Sequence, residues 1–360
     1  MINALLIFVP TTVLLELFKP QWHSVIFLTS CLAIIPLAGW LSHATEHIAS
    51  RTGEGVGGLL NATFGNAAEL IIAIAAMRAG LYGVVKASII GSIIGNILLV
   101  LGASMLGGGL LFRQQKFNAS AGRSQAEMLS LSIFALIMPA IYYSALKTES
   151  AALQQKLSLI IAAILFIVYL FYLYFQLVTH KGLFAGSSDE TAGHPAPAAS
   201  WSIGKSLLVL ALSTALVAWM SEILVGTVEP AAQAFGMNTV FIGVIVVGII
   251  GNAAEHTAAI VMARKNRMDL AISISMGSGV QIALFVAPLL VFLSYFLGPQ
   301  PFDLIFGLQL VLILLLAVLI IGQVVNDGES NWLKGMLLLT IYLILAVALY
   351  FIPPESVAAR

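Results

Sequence analysis

The chain has 360 residues, 60% of them hydrophobic and only 9% charged, with a mean hydropathy of +1.03. Soluble domains carry about 25% charged residues, so this composition excludes an ordinary globular domain and fits a polytopic membrane protein. Sixteen basic residues balance sixteen acidic ones, which argues against a nucleic-acid partner, and the single Cys31 cannot close an intramolecular disulfide.

Apolar stretches of about 20 residues span a hydrocarbon core roughly 30 Å thick. In chain order the sequence predicts eleven transmembrane helices, at about 3–18, 22–45, 56–78, 82–111, 125–146, 157–179, 203–226, 236–263, 269–297, 302–325 and 332–352. Ile2–Phe18 meets no small-residue cleavage site before Lys19-Pro20, so it reads as a membrane helix rather than a removable signal. Gly107-Gly108-Gly109 closes the fourth span. The exceptional loop is His180–Ser200, whose Gly, Ser, Asp, Glu and two prolines mark a flexible connector. Asp189 and Glu190 within it read as a solvated linker, and Tyr169, Phe171, Tyr172, Tyr174 and Phe175 before it as an interfacial aromatic belt.

An odd number of spans puts the chain ends on opposite sides. With the N-terminus inside, the inner segments hold Arg51, Arg113, Lys116, Arg123, Lys181, Lys205, Arg264, Lys265, Arg267 and Lys334. The outer ones hold Lys19, Arg78, Lys86, Lys147, Lys156 and Arg360. The bias favours a cytoplasmic N-terminus and an outside C-terminus.

The pentapeptide Gly-Asn-Ala-Ala-Glu occurs twice, at Gly65–Glu69 and Gly251–Glu255. Each glutamate sits in an apolar stretch, at a cost of roughly 2.5–3.5 kcal/mol on the lenient insertion scale. Pairing residue n with n+186 aligns 65–92 with 251–278 without a gap, and ten of the 28 pairs are identical. They include Ala73/Ala259, Ile74/Ile260, Arg78/Arg264, Gly91/Gly277 and Ser92/Ser278. The copies fall on the third and eighth spans, five apart, so they run in opposite directions: an inverted repeat of the secondary-transporter kind. Each glutamate lies nine residues before an arginine, Arg78 or Arg264. Nine residues of helix are about 14 Å, close to half the hydrocarbon thickness, so both carboxylates are expected at the midplane.

The motif is a hard-oxygen cation site in outline. Glu69 and Glu255 supply carboxylates, Asn66 and Asn252 side-chain oxygens, and a helix loosened at Gly65 and Gly251 supplies backbone carbonyls. Two negative charges with flexible oxygen ligation favour Ca2+ over Mg2+ and Na+, with Mn2+ and Cd2+ left open. Desolvation and mutual repulsion favour protonation of the empty pair, and a bound divalent ion favours its charged form. One site that holds protons or a cation, but not both, implies cation/proton antiport.

Thr45-Glu46 in the second span and Ser221-Glu222 in the seventh flank the centre from opposite sides and read as proton acceptors or gates. His256 beside Glu255 is a candidate for biasing proton access or a satisfied buried histidine. Gly91-Ser92-Ile93-Ile94-Gly95-Asn96 and Gly277-Ser278-Gly279-Val280-Gln281 add Ser92, Asn96, Ser278 and Gln281 as supporting polar groups, although helix packing explains their glycines equally well.

Two inverted copies of Gly-Asn-Ala-Ala-Glu, followed by Gly-Ser-x-x-Gly-Asn and Gly-Ser-x-x-Gln, resemble the cation exchanger (CAX) family of calcium/proton antiporters in the calcium/cation antiporter superfamily. The resemblance implies one leading helix, 1–21, and two inverted five-helix repeats, 22–179 and 203–352, with a connector at 180–202 and a tail at 353–360. It implies that Glu69 and Glu255 alternate between calcium and protons, and that the second and seventh helices move to alternate access. No cofactor and no enzymatic activity are implied; Ca2+ and H+ are the substrates and the lipid bilayer the surroundings, with a homo-oligomer left open. Short loops fit a prokaryotic plasma membrane.

Two other readings remain. A sodium-driven calcium exchanger of the same superfamily usually carries Gly-Thr-Ser-like sequence before the repeat glutamate, which this chain lacks. His43-Ala-Thr-Glu46-His47 matches the His-x-x-Glu-His pattern of an intramembrane zinc enzyme, but it is short and leaves the duplicated pentapeptide unexplained.

Overall fold

The computed structural model describes residues 2–52, 54–146, 151–184 and 201–352; Asp189, Glu190 and the tail 353–360 lie outside them. The described chain is helical almost throughout. Its helices are α1 (Ile2–Phe18), α2 (His23–Thr52), α3 (Glu54–Phe64), α4 (Ala67–Arg78), α5 (Tyr82–Gly109), α6 (Ala119–Leu146) and α7 (Ala152–Thr179). The second half continues with α8 (Ile203–Phe235), α9 (Thr239–Gly251), α10 (Ala253–Arg264), α11 (Met268–Leu297), α12 (Leu308–Val324) and α13 (Trp332–Tyr350). Among the described residues seven helices are long and apolar enough to cross a membrane, or eight with α9 and α10 taken as one broken span. The chain is an all-α polytopic membrane protein.

Two compact units divide the chain, and each draws on both halves of the sequence. The first comprises the described residues of Met1–Ser88, Gly193–Ala254 and Ala348–Arg360; the second comprises those of Ile89–Ala192 and Glu255–Val347.

In the first unit α2 packs along α8. Its core takes Phe27, Ile34 and Leu37 from α2, Met220, Leu224 and Val228 from α8, and Ile72 from α4. Lipid is as apolar as leucine, so such contacts gain little from transfer and depend on close approach. Small buried residues on both helices, Ser30, Ala33, Ala38, Ala231 and Ala232, permit it.

In the second unit α11 packs against α5 and α6, α12 packs against α6, and the last third of α11 lies on α7. A two-residue antiparallel ladder pairs β1 (Gln115–Lys116) with β2 (Glu329–Ser330). Gln115 Nε2 donates to Ala263 O at 2.8 Å and to Asn266 Oδ1 at 3.0 Å, and Asn118 Nδ2 donates to Leu183 O at 3.0 Å. Beside the ladder Lys334 Nζ donates to both Asp327 carboxylate oxygens and to the carbonyls of Val324 and Glu329. Partial burial alone would raise the Asp327 pKa, but these bonds and the Glu329 N–H hold the carboxyl below its usual range.

Two expectations need correction. The tenth span does not start at 302. Residues 301–307 are non-helical, and only Leu308–Val324 is helix. Pro299 and Pro301 remove two backbone donors, and side chains satisfy the next ones. Ser294 Oγ accepts from Phe302 N–H, Ser158 Oγ from Leu304 N–H, and Asp303 Oδ1 from Ile305 N–H. Phe302, Leu304 and Phe306 alternate into the core, a strand-like period that the run of apolar letters hid. The aromatic belt is also only half a belt. Phe171 and Tyr174 are exposed, but Tyr169 and Tyr172 are buried, and Tyr169 stacks on Phe285 at 5.3 Å.

α5 and α13 meet backbone to backbone. A Cβ on Gly335 would come within 2.6 Å of Gly102 O and closer still to Leu106 N, with no flexible side chain to yield. Gly335→Ala is expected to destabilise the protein by about 3 kcal/mol, the upper range for overpacking. Gly322→Ala on α12, with nothing within 4 Å of its Cβ, is expected to leave thermal unfolding unchanged. Equal melting temperatures for the two variants would contradict this account of the contact.

Candidate functional site: two broken helices and their glutamates

Both copies of the pentapeptide break a helix at the same place. α3 ends at Phe64 and α4 starts at Ala67; α9 ends at Gly251 and α10 starts at Ala253. The asparagine at each break has nearly the same backbone, φ −99° and ψ 24° at Asn66, φ −92° and ψ 8° at Asn252. That is the sparsely allowed bridge region, where functional residues often sit. Asn252 Nδ2 donates to Gly248 O at 2.9 Å, which braces the end of α9 and orients the amide oxygen. Both asparagines are 1% exposed.

Each glutamate then falls in the first turn of the following half-helix, with the arginine at its far end: Glu69 and Arg78 on α4, Glu255 and Arg264 on α10. A helix N-terminus favours an anionic side chain. The half-helix ending before the break offers carbonyls of the opposite polarity, which suit a cation. A break of this kind suits a carboxylate on one side and a cation on the other.

Within the first unit the two copies touch. Gly251 backs directly on Glu69, so that a Cβ there would lie 3.0 Å from Glu69 Cγ and 3.5 Å from Oε1. Glu69 is 9% exposed and Gly65 half-buried. Only glycine lets the second break come so close to the first carboxylate.

In the second unit Glu255 is half-buried. Ser278 hydrogen-bonds its carboxyl, and Oε2 meets no hydrogen-bond partner among the described residues. Asn96 Nδ2 donates to Ser278 Oγ at 2.9 Å, which ties α5 to α11 through the repeat's own polar residues. Ser92 is buried and Gln281 half-buried. His256 is half-buried, with Nε2 unmet among the described residues.

The repeat also shows in features that letters did not reveal. α5 loosens into a π-helical stretch at Gly95–Val100, and α11 does so at Ile282–Val286, the same place under the n+186 pairing. π segments put an extra residue into a helix and gather at functional sites. Gly80 (φ 77°) and Asn266 (φ 59°), also paired by n+186, both take the left-handed conformation after Arg78 and Arg264. Asn266 is the one non-glycine residue with positive φ among the described residues.

The outlying glutamates are arranged alike. Thr45 donates to Leu41 O and Ser221 to Val217 O, and each buried hydroxyl precedes an exposed glutamate. Glu222 pairs with Arg78 Nη1 at 3.4 Å, and Glu46 with His43 Nδ1 at 3.4 Å. His47 stacks instead on Trp201 at 4.7 Å. No group of three His, Cys, Asp or Glu able to hold a metal exists among the described residues, and none of them joins His43 and His47 as a third ligand.

Relatives of known name agree with this architecture. The chain is 42% identical to a Ca(2+)/H(+) antiporter of Synechocystis, over 97% of this chain and 96% of that one. It is 42% identical to the Ca(2+)/H(+) antiporter ChaA of Bacillus subtilis, over 92% and 94%. The solved structure of native YfkE superposes with a TM-score of 0.83 at 38% identity, covering 98% of this chain and all of that one. These relatives are named as transporters, not enzymes. Residues 22–178 and 205–351 both match the sodium/calcium exchanger protein family, and the chain belongs to that family.

Proposed function

We propose that this protein is a Ca2+/H+ antiporter whose exchange site is built from Glu69 and Glu255, with Asn66, Asn252 and the carbonyls of Gly65 and Gly251 completing the oxygen ligation. The observation that carries the reading is the contact of Gly251 with Glu69, which joins the two copies of the motif at the first carboxylate. Matching breaks, each with a glutamate on the following first turn, support a single site shared by the two repeats. The names of the relatives at 42% identity supply the substrate pair.

The cycle follows from charge. With Ca2+ bound, both glutamates are ionised and balance the ion. When protons arrive from one side they neutralise the carboxylates and remove the ligands, so the ion leaves. The protonated, neutral site then crosses to the other side without a buried charge. α2 and α8 carry the alternation of access, with the Thr45-Glu46 and Ser221-Glu222 pairs at its two entrances and His256 beside the second carboxylate. The leading helix 1–21, the repeats 22–179 and 203–352, the connector 180–202 and the tail 353–360 form the proposed organisation, in a prokaryotic plasma membrane with the N-terminus inside.

Proteoliposomes test the assignment. A pH jump that makes the lumen acidic is expected to drive 45Ca2+ uptake with no sodium on either side, and collapse of the pH gradient is expected to stop it. Uptake that requires a sodium gradient instead would replace this reading with sodium-driven exchange.

A further inference from the structure

The second unit contains a polar seam that runs from the loop before α6 toward Ser278. A cavity of about 20 Å3 lies where the loop before α6 meets the start of α11, lined by Phe117, Asn118, Gln125, Leu183, Asp269 and Ser273. One water needs about 10–15 Å3 and two or more polar partners, so this cavity is the size of one water and is suitably lined. Its rim is fixed, because Asp269 Oδ1 accepts from Asn118 N–H at 2.6 Å. Its inner wall is Gln125, 1% exposed, whose enclosed amide faces the Tyr172 hydroxyl. An amide has more hydrogen-bonding capacity than one tyrosine hydroxyl can fill, and an enclosed polar atom left unmet costs about 1–3 kcal/mol. The adjoining cavity is large enough for a water that would meet the remainder.

The seam continues inward along one face of α11. Asp269, Ser273 and Gly277 follow at intervals of four. Gly277 has no side chain, and the place of its Cβ is 3.5 Å from Gln125 Nε2, so the amide reaches past the cavity to the helix backbone there. The next residue, about 100° around the helix and turned toward α5, is Ser278, whose hydroxyl takes the hydrogen bond from Asn96 and reaches Glu255. From Asp269 to Ser278 the rise is about 14 Å. Tyr172 of α7 is the titratable group facing Gln125. The other charged residues of these elements, Arg123, Glu127, Lys181 and Arg267, are exposed.

We infer that this seam is a hydrated proton-access arm of the second unit, entered at Asp269, held open by Gln125 and ending at Ser278. It rests on the antiport reading above and adds a path for protons separate from that of the cation. Gln125 orients the water through its amide oxygen and nitrogen and does not itself carry the proton. Each water accepts one proton and releases another, so no further reactant is involved. Gln125 is thus a positioning residue.

The test separates proton movement from calcium movement. Gln125→Leu keeps the volume and removes both polar atoms; Asp269→Asn keeps the acceptor for Asn118 and removes the carboxylate. In proteoliposomes each variant is expected to lower acid-driven net 45Ca2+ uptake by about tenfold, while 45Ca2+/Ca2+ exchange at equal pH, which moves no net protons, stays at the wild-type rate. Equal loss of both activities would assign the seam to packing and overturn the inference, as would wild-type rates in both. If Gln125→Leu does not fold, Asp269→Asn decides by the same two rates. Wild-type protein without acid-driven uptake would overturn the antiport reading itself and the arm with it, an outcome distinct from unaffected variants.

Discussion

Glu69→Gln and Glu255→Gln are each expected to abolish calcium transport and, in the same protein samples, to abolish stabilisation by calcium. The size of the effect follows from the charge. A divalent ion about 4 Å from a carboxylate gains roughly 8 kcal/mol at an effective dielectric constant of 20. Dehydration of both partners offsets most of that. Retention of even about 3 kcal/mol per carboxylate makes its loss more than 100-fold in affinity. Glutamine keeps the shape and one oxygen, so the fold is preserved: Glu69 sits in the first turn of α4 and Glu255 in that of α10, and neither substitution touches the Asn252 brace. Calcium at about 100 times its dissociation constant stabilises a protein that binds it only when folded by roughly 2.7 kcal/mol. The wild-type melting temperature should therefore climb with calcium and that of either variant should stay flat. A site needing both carboxylates also makes the losses non-additive, so the double variant should be no worse than either single one. Calcium-dependent stabilisation in Glu69→Gln, or a variant that still takes up calcium, would mean that the duplicated glutamates are not the exchange site.

Much of this architecture could be read from the letters, because it depends on quantities that letters carry. Hydrocarbon thickness fixes the length of apolar runs, and so the positions of α5, α11 and α13 follow closely, whereas α2, α6 and α8 run six to nine residues beyond their apolar stretches. The closing of α5 at Gly109 followed from its three glycines. What could not be read depends on hydrogen bonds between distant residues. The extended segment 301–307 exists because Ser158 and Ser294 replace its lost helical partners, and Ser158 lies far away in sequence. The π segments at Gly95–Val100 and Ile282–Val286 have no shared residue code; Asn96 and Gln281 at their edges are the nearest signal. The letters place Tyr169 and Tyr172 in an interfacial belt because they cannot tell lipid from the flank of α11. At the candidate site the duplicated pentapeptide points to the residues proposed, but the contact between Gly251 and Glu69 needs the fold.

That contact leads to the second prediction. Gly251→Ala should lower calcium uptake by more than about tenfold while changing stability by no more than roughly 1 kcal/mol. The new methyl carbon would stand 3.0 Å from Glu69 Cγ and 3.4 Å from Cδ, a few tenths of an ångström too close. Glu69 is a side chain and can yield, so the fold survives, and alanine's better helix propensity offsets part of the strain. The carboxylate cannot yield without leaving its place, and a binding constellation tolerates displacements of only about 0.5 Å. The loss should therefore fall on the calcium concentration needed for half-maximal uptake, and a larger substitution, Gly251→Val, should take uptake below detection. Gly226→Ala on α8 serves as the control, since its Cβ would meet nothing within 4 Å. Wild-type uptake by Gly251→Ala would show that the second break does not position the first carboxylate, whereas equal loss in Gly226→Ala would show only that this unit tolerates no added methyl group.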